Sequence, residues 1–192
     1  MRVLCVVSIA ALLCASAASA AGELSGRRAP GFALFDITDP SLKMHDLYDY
    51  RGRIVVLEFM QTTCPHCQRL AQTLERVKAK YGDRVAILSI SNPPDNQSTV
   101  ANYRAKLNVT TPILYDCGQV VSSYMKATPQ NPRISIPHLF LIDAAGMIRN
   151  DFAYELLTRE IFEGEGLVQE LDRMLGGPDA TTPSTTAPKK KR

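Results

Sequence analysis

At 192 residues the chain has the length of one compact domain, and 45% hydrophobic with 21% charged residues is ordinary globular composition, not that of a disordered or collagenous chain. The net charge of +3 sits at the ends. Arg2 near the start, and Lys189, Lys190, Lys191 and Arg192 against Asp179 at the finish, leave the body between them at −1. A near-neutral body without Trp has neither the electrostatic footprint nor the stacking platforms of a nucleic-acid binder, so nucleic acid is not expected as a partner.

The chain opens on Met1-Arg2, runs through an apolar stretch from Val3 to Leu13, and reaches a small-residue site at Ala18-Ser19-Ala20. That order predicts a cleavable export signal over residues 1–20. Two other fates stay open. A retained anchor is one, although the stretch fades into Ala and Ser short of the ~20 apolar residues a span needs. A lipoprotein leader acylated at Cys14 is the other, with Leu13 standing where a small residue is usual.

Ile54 to Met60 is an almost unbroken apolar, β-branched run, the pattern of a strand buried on both faces of a parallel sheet. After Cys67, Leu70, Ala71, Leu74, Val77 and Tyr81 recur at helical spacing, and Gly82 stops the helix. Val85–Ser91 is a second buried strand, Thr99–Leu107 a helix, Pro112–Tyr115 a short extended piece and Gln119–Met125 a short helix. His138–Ile142 and Met147–Ala153 are strands joined by Asp143-Ala-Ala-Gly146, a hairpin signal with Gly at the position needing positive φ. Leu167, Val168, Leu171, Met174 and Leu175 mark one face of a last helix, and Gly176-Gly177-Pro178 ends it. The main elements therefore run β-α-β-α-β-β-α after an extended piece around Phe32–Phe35, an α/β domain over residues 21–178 with a mixed sheet. Residues 179–192, rich in Thr, Pro, Ser and Ala with a basic end, are expected to be a disordered tail.

Five cysteines are present, and two of them, Cys5 and Cys14, lie in the leader. Cys64 and Cys67, in Cys-Pro-His-Cys, are too close together to close a loop worth much chain entropy, so their use is chemical and not structural. Structural zinc generally takes four ligands, and no second Cys-x-x-Cys or His-x-x-x-His accompanies the pair. Redox exchange is the remaining chemistry, and the export leader places it in an oxidising compartment: the bacterial periplasm or cell envelope. For Cys117 three readings stay open: a buried inert thiol, a site of intermolecular pairing, or a third redox group.

Gly31-Phe32-Ala-Leu-Phe35 with Leu47-Tyr-Asp-Tyr-Arg-Gly52, the strand–Cys-x-x-Cys unit from Ile54 to Cys67, Ile136-Pro137 ahead of a strand, and Leu141-Ile-Asp-Ala-Ala-Gly146-Met-Ile148 occur in one order. That ordered set resembles the thioredoxin superfamily, and within it the exported TlpA/ResA-like redoxins related to AhpC/TSA. The resemblance implies a thioredoxin fold: a central mixed β-sheet flanked by helices, with an N-terminal β extension. It also implies a thiol–disulfide oxidoreductase that acts on protein thiols and disulfides, without a bound cofactor and as a monomer. A membrane electron donor or acceptor is implied as the recycling partner. Two positions depart from the pattern: Thr62 stands where an aromatic is usual, and Ile136 where Thr is commoner. The Cys-Pro-His-Cys dipeptide is shared with DsbA-type oxidases, which leaves the direction of electron flow open.

Roles follow for named residues. Cys64 lies where the strand gives way to the helix, so the helix N–H groups and dipole favour its thiolate. Pro65 suits the first helical position. Cys67 is the resolving thiol, and His66 is a further stabiliser of the Cys64 thiolate or an exposed spacer. Glu58 shares a strand face with Met60, where a carboxylate is costly without a task. By resemblance its task is to move the proton of Cys67. By resemblance Ile136 and Pro137 form a cis-proline loop that lies beside the disulfide and pairs with substrate backbone, while the residues alone leave open that Pro137 begins an edge strand. A second reading has Cys64, Cys67 and His138 converge on Cu(I) as in a metallochaperone, since thiolate and imidazole suit that ion. A peroxidase is disfavoured, because Gln61 occupies the Thr position of the Pro-x-x-x-Thr-x-x-Cys pattern.

Overall fold

The computed structural model describes residues 22–176. The expected leader, the basic tail, Cys5 and Cys14 lie outside them. Two short strands, β1 (Ala33–Phe35) and β2 (Met44–Asp46), pair antiparallel as an N-terminal ribbon, and a 3-10 turn over Leu47–Tyr50 leads on from it. The main sheet holds β3 (Ile54–Met60), β4 (Val85–Ser91), β5 (Ile113–Tyr115), β6 (His138–Ile142) and β7 (Ile148–Ala153) in the order β5-β4-β3-β6-β7. β3, β4 and β5 run parallel, whereas β6 and β7 are antiparallel to their neighbours. The expected mixed sheet with a β extension is therefore present.

Five helices cover it: α1 (Pro65–Tyr81), α2 (Gln97–Leu107), α3 (Gln119–Met125), α4 (Arg159–Glu163) and α5 (Gly166–Gly176). Strand side chains alternate between faces, and β3 sends Val55, Leu57 and Phe59 into one core with Tyr124 of α3 and Phe140 of β6. Its alternate residues Ile54 and Val56 join a second core with Leu70, Leu74 and Val77 of α1, Phe162 of α4 and Leu167 of α5. At the end of β3 a third cluster gathers Met60, Cys67, Ala71, Val100 and Tyr103 between α1 and α2. The sheet thus delivers the chain to the redox motif, and two layers of buried apolar side chains hold it there.

Local chemistry sets the element ends. α2 begins two residues before the periodicity suggests, because Asn96 caps it and closes a capping box with Thr99. The β6–β7 hairpin turns at Gly146 with φ +80°, as its Asp-Ala-Ala-Gly sequence predicts. α4 is an addition to the sequence reading. It is five residues long and anchored by fully buried Phe162, too short to show a helical period. Among the described residues no helix is long and apolar enough to cross a membrane.

Candidate active site

Cys64 is the N-cap of α1 and Pro65 its first residue. The cap is unusual in being a sulfur: the Cys67 N–H donates to Cys64 Sγ at 3.3 Å, one of the bonds a thiolate at a helix start would accept. Cys64 is half-buried and Cys67 fully buried, so partners reach the first thiol and not the second. Burial pushes the Cys67 thiol well up, and the charge of Glu58 and the hydrogen bond to Cys64 push it the same way. Cys67 therefore needs a base before it can act as a nucleophile.

Glu58, the one carboxylate whose charge is felt at Cys67, is the candidate. Strand alternation sends it to the α1 side of β3, and it is 1% exposed. Ser89 Oγ, opposite it on β4, donates to Oε2 at 2.7 Å, while Oε1 has no hydrogen-bond partner. Burial raises its carboxyl to about 7, with the Ser89 bond working the other way. A carboxyl poised there can hold or release a proton near neutral pH. Tyr103 of α2 shares the buried cluster of Cys67 and donates to the Cys67 carbonyl at 3.0 Å. Burial, and then the charge of Glu58, pushes its phenol well up, so it stays protonated.

The loop from β3 to Cys64 is held by Asp95, which the sequence reading missed. Its buried carboxylate accepts from Thr62 N at 2.9 Å and Thr62 Oγ1 at 2.5 Å, and Thr99 Oγ1 adds a third bond at 3.3 Å. Gln68 Nε2 donates to the Thr62 carbonyl at 2.9 Å. Asp95 follows Pro93-Pro94 in a loop, where an acidic residue has no sequence signal beyond turn formation.

The Ile136–Pro137 peptide is cis. Ile136 packs against the cluster that contains Cys67, as Cys64 does, so the loop and the motif share one apolar seat. A cleft of about 1020 Å³ runs alongside, with Arg133, Ile134, Ser135, Phe152 and Glu155 among its walls.

His66 is engaged at three points. Arg69 Nη2 lies 2.5 Å from its Nδ1, Glu163 Oε1 lies 3.8 Å from the same nitrogen, and its ring sits 3.8 Å from that of Tyr154. Glu163 in turn accepts from Arg69 Nε at 2.6 Å, Arg159 Nε at 2.8 Å and Tyr154 Oη at 2.9 Å, which holds its carboxyl down at about 2. Neither Arg69 nor Glu163 was singled out from sequence, since a surface Arg and Glu far apart in the chain look like solvated charges.

His138 does not join the cysteines. It is buried, its Nε2 faces Asp151 Oδ2 at 3.1 Å, and its ring stacks on Phe140. Among the described residues no group of three or more His, Cys, Asp or Glu side chains is placed to hold a metal ion. The convergence on Cu(I) expected by the second reading is thus not formed, because strand alternation puts His138 on the sheet face of Phe140 and Asp151, opposite the α1 side that carries the cysteines. Cys117 is exposed, which removes the buried-thiol reading.

Comparison with known proteins fits this geometry. A sequence profile of the AhpC/TSA family matches residues 25–151. The chain belongs to the AhpC/TSA family. Among AhpC/TSA-like relatives, thioredoxin-like protein YneN of Bacillus subtilis is 24% identical over 73% of this chain and 78% of its own. The thiol-disulfide oxidoreductase ResA of Bacillus thuringiensis is 24% identical over 72% of this chain and 75% of its own. Among solved structures, the pneumococcal exposed lipoprotein thioredoxin Etrx1 of Streptococcus pneumoniae superposes with a TM-score of 0.60 at 21% identity. That match covers 75% of this chain and 99% of the other. The architecture is a thioredoxin fold.

Proposed function

We propose that this chain is an exported thiol–disulfide oxidoreductase that exchanges electrons with protein thiols through Cys64 and Cys67. One observation carries the reading: a half-exposed cysteine caps α1, and one turn on lies a buried cysteine whose charge environment includes a buried carboxyl with an unpartnered oxygen. In the reducing direction Cys64 attacks a substrate disulfide, breaks its S–S bond and forms a mixed disulfide, and one substrate thiolate departs. Glu58 takes the Cys67 proton, and the Cys67 thiolate then attacks the Cys64 sulfur. The Cys64–Cys67 bond forms and the second substrate thiolate leaves. Two electrons pass to the substrate, and a partner dithiol restores the pair.

The remaining roles in this reading are supporting ones. The Ile136–Pro137 loop lies along an extended stretch of substrate, with the neighbouring cleft as its room. His66 acts on the electrostatics of Cys64. Residues 1–20 direct export and are removed, and the domain works as a monomer recycled by a membrane electron carrier. One structural relative, Etrx1, is an exposed lipoprotein, which supports a location outside the cytoplasm.

Trapping tests the assignment. Cys67→Ser should accumulate a mixed disulfide through Cys64, read by mass spectrometry, and Cys64→Ser should form none. In the wild type the resolving step should quicken as pH rises through about 7, where Glu58 ionises, and Glu58→Gln should lose that rise. Trapping through Cys117 instead would refute the assignment. The reduction potential sets the direction: a value near roughly −270 mV marks a reductant, and one near roughly −120 mV a disulfide-forming oxidant.

A further inference from the structure

Between β7 and α4 the chain holds two consecutive leucines in water: Leu156 is 85% exposed and Leu157 94%. They are the central residues of a turn that the fold braces on both sides. Thr158 N donates to the Glu155 carbonyl at 3.2 Å and closes the turn. The Thr158 hydroxyl accepts from Glu155 N at 2.9 Å and donates to the Ala153 carbonyl at 2.6 Å, so folding the tip back onto the sheet would break both bonds. Ahead of the turn, Tyr154 N donates to the Pro137 carbonyl at 3.3 Å. The Tyr154 ring meets that of His66 at 3.8 Å between centroids and that of Phe162 at 5.3 Å. Behind the turn, fully buried Phe162 anchors α4. The leucines therefore project from a support that touches both the cis-proline loop and the Cys-Pro-His-Cys dipeptide.

We propose that Leu156 and Leu157 are a docking knob for folded proteins that exchange disulfides with Cys64, received by an apolar socket beside the partner's own cysteine. A protein that brings a sulfur to Cys64 lies over His66, and from His66 the surface continues through Tyr154 to the turn. Shape selects the partner. A rigid projection needs a concave surface opposite it, which a folded protein has and an extended chain lacks. The extended chain fits the cleft beside the Ile136–Pro137 loop instead. Charge selects as well, because the neighbours Glu155, Arg159 and Glu160 are all exposed. Around a protein socket they supply the polar rim of an apolar hot spot, whereas insertion into a bilayer would drag two carboxylates toward the lipid. This inference rests on Cys64–Cys67 being the redox pair.

The test is Leu156→Ser with Leu157→Ser in the full chain, a change at exposed positions that should leave the fold intact. Reduction of three disulfides is followed under single turnover: native insulin, a linear peptide pair joined by one disulfide, and oxidised glutathione. For insulin the half-saturating concentration should rise about tenfold or more, with the limiting rate and the reduction potential unchanged. The peptide pair and glutathione should react as they do with wild type. Leu156→Met with Leu157→Met should bring insulin back to within about twofold of wild type.

Unchanged insulin kinetics overturn the knob. So does an equal loss on all three disulfides, which places the effect on the redox pair, or a loss on the peptide pair as large as on insulin. Sedimentation with phosphatidylglycerol vesicles, or a dimer in gel filtration, that the double serine variant abolishes would assign the leucines to a bilayer or to a second copy and overturn it too. A wild type that reduces none of the three would overturn the redox assignment, and the docking role with it.

Discussion

Glu58 makes a quantitative demand on stability that Glu58→Gln removes. In the folded protein its carboxyl lies at about 7 against an ordinary 4.5, because burial disfavours the charged form. An acid raised on folding binds its proton more tightly in the folded state, so its contribution is full below about 4.5 and is lost as pH rises through about 7. At roughly 1.4 kcal/mol per pH unit, the carboxylate costs about 3 kcal/mol at pH 8 and under about 1 kcal/mol at pH 5. Gln has nearly the same shape, is neutral at both pH values and can still accept from Ser89. Urea unfolding of the reduced proteins should therefore find Glu58→Gln more stable than wild type by about 3 kcal/mol at pH 8, or roughly 6–12 °C in Tm. Most of that gain should be gone at pH 5. A difference that changes by less than about 1 kcal/mol between the two pH values would refute a buried, titrating Glu58.

Other expectations are more compact. Ser89→Ala deletes the hydrogen bond that holds the Glu58 carboxyl down, so the pH at which resolution quickens should move upward in stopped-flow exchange. Phe162→Ala removes the buried anchor of α4 from the core beside α1 and should cost about 3–5 kcal/mol by denaturant unfolding. With the Cys64–Cys67 pair oxidised, iodoacetamide should label exposed Cys117 in the native protein. Protection of that thiol would show that it is covered in solution.

What the sequence revealed, and what it concealed, follows from the range of each signal. β3, β4 and β6 were legible because strands buried on both faces must be apolar without interruption, and Ile54–Met60 and Val85–Ser91 carry the expected bounds unchanged. Glu58 was legible for the opposite reason, as one charge breaking such a run. Cys64 and Pro65 declare a helix start by type alone. α4 was hidden, since five residues give no period and neighbouring Leu156 and Leu157, 85% and 94% exposed, imitate core residues without being buried. The groups around His66 were hidden more deeply. Arg69 and Glu163 are 94 residues apart, and nothing local marks either as the other's partner. His138 misled, because its residue type suits a metal while alternation along β6 sets it on the face of Phe140, away from the α1 side.

Thr62 combines both situations. Its departure from the usual aromatic was visible in the sequence, but its reason is Asp95, 33 residues on, whose carboxylate takes both the backbone N–H and the hydroxyl of Thr62. An aromatic side chain there could not supply the second bond in the same position. Thr62→Val keeps the β-branched shape and the backbone bond and deletes only the hydroxyl. It leaves a buried carboxylate, 4% exposed as a residue, with the Thr62 backbone bond and the longer Thr99 contact at 3.3 Å. Losing a hydrogen bond to a charged buried group costs about 1.5–3 kcal/mol, so the variant should melt several degrees lower. Asp95→Asn combined with Thr62→Val should lose less than the two single changes added together, because the pair is one interaction. Additive losses, or a Thr62→Val cost under about 0.5 kcal/mol, would mean that Asp95 does not hold the entrance to the redox motif.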